Sequence, residues 1–85
     1  MNIIYADEFR KGFRRLPSAI QRLYQKQEMI FKKDWKDARL HSKKLIDHPF
    51  PFSFRITRNY RVLFSFVDQD TTLFGTIGHR RDAYR

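Results

Sequence analysis

Eighty-five residues that carry 18 Lys and Arg against nine Asp and Glu, and no cysteine, make one small basic domain spanning 1–85 the expectation. The absent thiols exclude a disulfide framework and a thiolate zinc site, and no apolar run approaches the roughly 20 residues of a membrane span. A net charge of +9 attracts polyanions, which admits nucleic acid, an acidic protein or an anionic membrane surface.

The first eight residues hold neither a basic n-region nor a long apolar stretch, so no secretory signal is expected. Ile3-Ile4-Tyr5 reads as a brief strand, and Asp7-Glu8 suits the start of a helix, where acidic side chains complement the macrodipole. Phe9, Phe13 and Leu16 recur at helical spacing with Arg10, Lys11, Arg14 and Arg15 elsewhere on the wheel. Pro17 ends that helix near Leu16 and opens a second one. Ile20, Leu23, Tyr24, Ile30 and Phe31 keep the period in this second helix, with Trp35 and Ala38 as a possible extension. Asp34 and Asp37 in their Lys-rich surroundings read as helix-surface ion pairs.

Asp47-His48-Pro49 is a turn signal, and from Phe52 the period becomes two. Phe52, Phe54 and Ile56 alternate with Ser53, Arg55 and Thr57; Arg58-Asn59 makes a turn; Tyr60 to Val67 forms the next strand. Thr71 to Ile77 is a third strand that Gly78 ends. The order β-α-α-β-β-β defines an α+β fold: an antiparallel sheet with two N-terminal helices packed on one face and the other face free.

Residues 1–48 carry 12 basic and six acidic side chains, and residues 49–85 carry six and three, so the charge is not confined to a tail. Arginine supplies 11 of the 18 cations, and after Ser53 they gather as Arg55, Arg58 and Arg61, then Arg80 and Arg81, with Arg85 beyond. Guanidinium forks bind phosphate or carboxylate bidentately. On alternating strands Arg55 and Arg61 fall on the face away from the phenylalanines, either as solvated cross-strand positions or as an anion site. The final stretch from Gly78 brings His79, Arg80, Arg81 and Tyr84 together within eight residues. Those side chains are the parts needed to cleave RNA without a metal or cofactor: proton carriers, and cations for a pentacovalent phosphorus. A basic terminus that merely binds counterions has the same composition. Arg39 to Leu45, with Lys43 and Lys44, is a basic segment suited to solvent or to backbone phosphates. His41, His48 and His79 show no metal-ligand spacing.

Lys43-Lys44-Leu45, Phe54-Arg55-Ile56, Tyr60-Arg61-Val62-Leu63-Phe64 and Ile77-Gly78-His79-Arg80-Arg81-Asp82-Ala83-Tyr84-Arg85 together resemble the RelE/ParE toxins of bacterial toxin–antitoxin systems. The resemblance implies a cytoplasmic protein neutralised by an acidic antitoxin, acting either as a ribosome-dependent mRNA endoribonuclease (RelE-like) or as a DNA gyrase inhibitor without catalysis (ParE-like). The RelE-like reading implies Arg61 and Arg80 at the scissile phosphate, Arg55 assisting, and Tyr84 or His79 moving protons. Lys43, Lys44, Arg39, Arg58 and Arg81 would then grip mRNA or ribosomal RNA. The partners would be antitoxin, ribosome and mRNA, with no membrane and no small-molecule cofactor. The chain departs from the family in carrying Ser53 where some members have a lysine. It also ends one residue after Tyr84, which implies that the C-terminal helix of other members is missing.

Overall fold

The computed structural model describes residues 1–83. Its elements are β1 (Asn2–Tyr5), α1 (Asp7–Arg15), α2 (Ser18–Lys33), a 3-10 turn (Ala38–Leu40), β2 (Lys43–Lys44), β3 (Phe52–Arg55), β4 (Tyr60–Phe66), β5 (Thr71–His79) and α3 (Arg80–Ala83). Asp7 and Glu8 occupy the first turn of α1 and Arg14 and Arg15 its last, each sign at the end of the dipole that favours it. Leu16 turns extended before Pro17, and the Pro17 carbonyl accepts the amides of Ile20 and Gln21 at 2.9 and 3.0 Å to open α2. The Gln21 amide side chain donates to the Phe13 carbonyl, which also accepts the Leu16 amide, and to the Leu16 carbonyl, at 2.9 and 3.3 Å, and so ties the end of α1 to α2.

The sheet has the order β1-β5-β4-β3-β2. β2 to β5 pair antiparallel, as the alternating pattern implies, but β1 pairs parallel to β5, so the sheet is mixed. A parallel pair needs a long crossover, and every element between β1 and β5 lies within it. Three further differences lie in the second half of the chain. β2 adds an edge strand; β5 runs through Gly78 to His79 instead of ending before them; and a one-turn helix, α3, stands where no C-terminal helix was expected. Gly78 continues the strand because its backbone pairs with Arg61 in register.

Aromatic rings fill the space between helices and sheet. Phe31 is fully buried, its ring 5.2, 5.1 and 5.1 Å from those of Phe54, Phe64 and Phe74. Trp35 extends this cluster over Phe52 and Phe66. Leu23, expected in the apolar stripe, is exposed. The next positions on the stripe side are polar and half-buried instead: Glu28 accepts from Tyr5 at 2.9 Å, from the Tyr24 hydroxyl and from Lys32 at 3.2 Å. Burial and the adjacent carboxylate push the Tyr5 phenol up to about 12, and raise Tyr24 further in the same direction. Unfolded phenols ionise near 10, so this contribution to stability is full below about pH 10 and is lost as pH rises toward 12. Denaturant melts across that range should weaken together with the appearance of phenolate absorbance. Equal stability at pH 9 and pH 12, taken as about those values, would contradict the coupling.

One register shift lies between Leu63 and Phe64, which pair with Thr76 and Phe74, so Gly75 is the extra residue of a bulge. The bulge lets Phe74 and Ile77 both face the core. On the other face, a Cβ at Gly75 would lie 1.9 Å from the Phe50 ring. Residues 45–51 fold back to bring that ring there, closed by the Leu45 amide on the Pro51 carbonyl at 2.7 Å and by the Phe50 amide on His48 Nδ1 at 3.1 Å. The second sheet face is therefore not free along its whole length: Ser53 and Leu63 are each only 1% exposed. Gly75→Ala must displace Phe50 and should cost about 1–3 kcal/mol in a denaturation curve. Unchanged stability would show that the ring does not hold this seat.

Candidate functional site

Strand parity and register assemble the arginines. Phe52, Phe54 and Val62 turn toward the helices, so Ser53, Arg55, Arg61 and Leu63 turn away. Arg55 lies directly opposite Arg61, and Arg61 directly opposite Gly78, so the row across β3, β4 and β5 reads Arg-Arg-Gly. Both arginines are half-buried, and among the described residues neither forms an ion pair. Like charges directly opposite destabilise a sheet. Arg55 Nε is, in addition, buried without a hydrogen-bond partner. Two opposed guanidiniums with no ion pair among the described residues are able to receive an anion, and their planar forks match phosphate oxygens.

The support behind Arg55 comes from α2, and the apolar pattern alone did not reveal it. Gln27 Nε2 donates to the Arg55 carbonyl at 2.8 Å and to the Arg39 carbonyl at 3.1 Å, tying α2 to the end of β3 and to the 3-10 turn. Gln27 falls four residues after Leu23 and three before Ile30. An amide at that place in the apolar stripe is the signal that marks it.

The remaining candidates do not all join the row. His79 pairs with Tyr60, its ring 5.5 Å from the Tyr60 ring, so the pleat puts it on the face opposite Arg55 and Arg61. Its Nδ1 accepts the Arg81 amide at 3.2 Å at the start of α3, which leaves Nε2 to carry the proton of the neutral ring. Arg80 leaves the sheet with its amide on the Asn59 carbonyl at 2.7 Å, beside the β3–β4 turn; its side chain and those of Arg58 and Arg81 are exposed. Lys43 and Lys44 are exposed on edge strand β2. Arg39 is not a free cation: Nε and an Nη donate to the two Asp37 oxygens at 3.0 and 2.9 Å, and this fork holds the Asp37 carboxyl down at about 2. The Asp37 pairing is thus within a turn, not along a helix, and Asp34 accepts the Lys36 amide instead of a cationic side chain. Tyr84 lies outside the described residues.

No protein-family model and no curated protein sequence matches the chain. Solved structures do. The RelB–RelE antitoxin–toxin complex of Methanococcus jannaschii matches with a TM-score of 0.75 at 23% identity, covering 95% of this chain and 94% of that one. The intact Escherichia coli RelBE toxin–antitoxin complex matches with a TM-score of 0.71 at 15% identity, over 92% and 94%. A YoeB/ParE toxin from Agrobacterium tumefaciens gives 0.77 at 10% identity, over 94% and 99%. The chain has the RelE-like toxin fold.

Proposed function

We propose that residues 1–85 form one cytoplasmic toxin domain of a toxin–antitoxin pair, a ribosome-dependent endoribonuclease that cuts mRNA without a metal. The observation that carries this reading is the directly opposed Arg55–Arg61 pair, which forms no ion pair among the described residues. In the reaction the 2′-hydroxyl loses its proton and its oxygen bonds to phosphorus. The bond from phosphorus to the 5′-oxygen breaks, and that oxygen takes up a proton. Arg61 and Arg80 hold the phosphate and neutralise the charge that builds on it, with Arg55 assisting; Tyr84 is the group proposed to move protons, and His79, which faces the other side of the sheet, is given no step. Lys43, Lys44, Arg58 and Arg81 add sequence-independent attraction to RNA, which makes binding fall steeply with salt. Arg39 contributes less to that attraction because Asp37 already offsets it.

An acidic antitoxin is the proposed protein partner. Charge complementarity supports it, and the M. jannaschii and E. coli neighbours are complexes with antitoxins. The test is a translation extract programmed with one defined mRNA, run beside a gyrase supercoiling assay. The reading requires mRNA to be cut while supercoiling proceeds. Intact mRNA with blocked supercoiling would replace it by a gyrase inhibitor that works through protein contact.

A further inference from the structure

Arg55 ends β3 where the sheet offers no further strand beside it. β2 pairs with Phe52 and Ser53 alone, through Lys44 and Lys43. Carried two residues further, that register would set His41 opposite Arg55. His41 instead adopts the left-handed conformation, at φ 48° and ψ 46°, and turns the chain away. On the other side, the Ile56 amide donates to the Tyr60 carbonyl at 2.9 Å. Arg55 and Arg61, one step along the ladder, are therefore a non-hydrogen-bonded pair. The Cα atoms of such a pair lie only about 4.5 Å apart, and their backbone groups point away from the shared ladder. The Arg55 carbonyl thus faces the outer edge of β3, and Gln27 fills that edge. Its amide nitrogen, with two hydrogens to give, donates to the Arg55 carbonyl at 2.8 Å and to the Arg39 carbonyl at 3.1 Å. Gln27 is fixed in turn by α2, which buries Tyr24 before it and Ile30 and Phe31 after it.

From this arrangement we infer that Gln27 is a positioning residue for the anion site. It stands where a strand would, and holds the end of β3 against the repulsion of two like charges set directly opposite each other. While it holds, Arg55 and Arg61 stay close enough to share one anion. Without it, the end of β3 is free to move outward and take Arg55 out of the pair. Gln27 does not touch the phosphate and acts only through Arg55. This inference rests on the phosphate-binding reading of the arginine row and adds to it what keeps the row together.

Gln27→Leu keeps the bulk and removes the donor, so it makes the test. Inorganic phosphate is titrated into ¹⁵N-labelled protein at low ionic strength while the amides of Arg55 and Arg61 are followed. In the wild type both should shift with one midpoint. In Gln27→Leu the Arg55 response should vanish and the midpoint should rise about tenfold, the weight of one charge-assisted hydrogen bond. On programmed ribosomes, cleavage at saturation should fall about 10- to 100-fold, as misplacement of a group at the phosphate does. The KM for ribosomes should stay within about twofold, because the exposed cations are untouched. Ile20→Val, a cut in the first turn of α2, controls for stability: it should lower the urea midpoint and leave the phosphate titration as in the wild type. If Gln27→Leu does not fold, Gln27→Asn, whose amide is withdrawn by one methylene, should show the same losses in smaller measure. A folded Gln27 variant that binds phosphate as the wild type does overturns the inference and leaves the arginine site standing. If phosphate moves neither amide in the wild type, both readings fall. Loss of the Arg55 response in a variant of a protein that leaves mRNA intact on ribosomes would keep the role of Gln27 and remove the nuclease.

Discussion

Replacing Arg61 with alanine should lower mRNA cleavage by about 100-fold or more, because one preorganised donor to a charge that develops in the transition state is worth that much. The same change should leave the fold intact. Arg61 makes no ion pair among the described residues, and its removal relieves repulsion from Arg55 across the strand pair, a gain of about 0.2–1 kcal/mol. Activity and stability thus move in opposite directions, which an ordinary structural residue does not allow. Single-turnover cleavage on programmed ribosomes, measured beside a urea melt, reads both. An Arg61→Ala protein that cuts as fast as wild type would remove the row from the chemistry. One that loses activity only by unfolding would make Arg61 structural.

Phe31→Ala should have the largest effect on stability, about 3–5 kcal/mol. The ring is fully buried and touches Phe54, Phe64 and Phe74, one from each of the three strands at the middle of the sheet. Removing it leaves a cavity that no neighbouring element is free to fill. A chain of this length has on the order of 5–10 kcal/mol in total, so the variant should be partly unfolded at physiological temperature. Calorimetry tests this: a loss below about 1 kcal/mol would show that the aromatic cluster repacks around the gap.

Sequence periodicity revealed the strands of the second half and the two helices, because each is long enough to show its repeat. It also placed Arg55 and Arg61 on one face, since a short turn around Arg58-Asn59 leaves little choice of register. What it missed depends on distant partners. The parallel pairing of β1 joins residues about 70 positions apart, beyond any local pattern. The seat of Phe50 on Gly75 was hidden because a Pro-flanked turn does not show where its tip will land. Ending the third strand at Ile77 hid the parity of His79: once β5 continues through Gly78, counting alternate residues assigns His79 to the helix side. Gln27 and Glu28 carry no apolar signal for the period to pick out, although the first anchors the backbone of Arg55 and the second joins two tyrosine hydroxyls.

The ends of the cut mRNA test the central claim most directly. Attack by the 2′-hydroxyl, with charge neutralised by Arg61 and its neighbours, must leave a 2′,3′-cyclic phosphate, or the 3′-phosphate it hydrolyses to, on one fragment and a 5′-hydroxyl on the other. Mapping both ends after incubation with ribosomes should find that pair, and Arg61→Ala should reduce its yield without changing its chemistry. A 3′-hydroxyl with a 5′-phosphate, the signature of an activated water, would contradict the account.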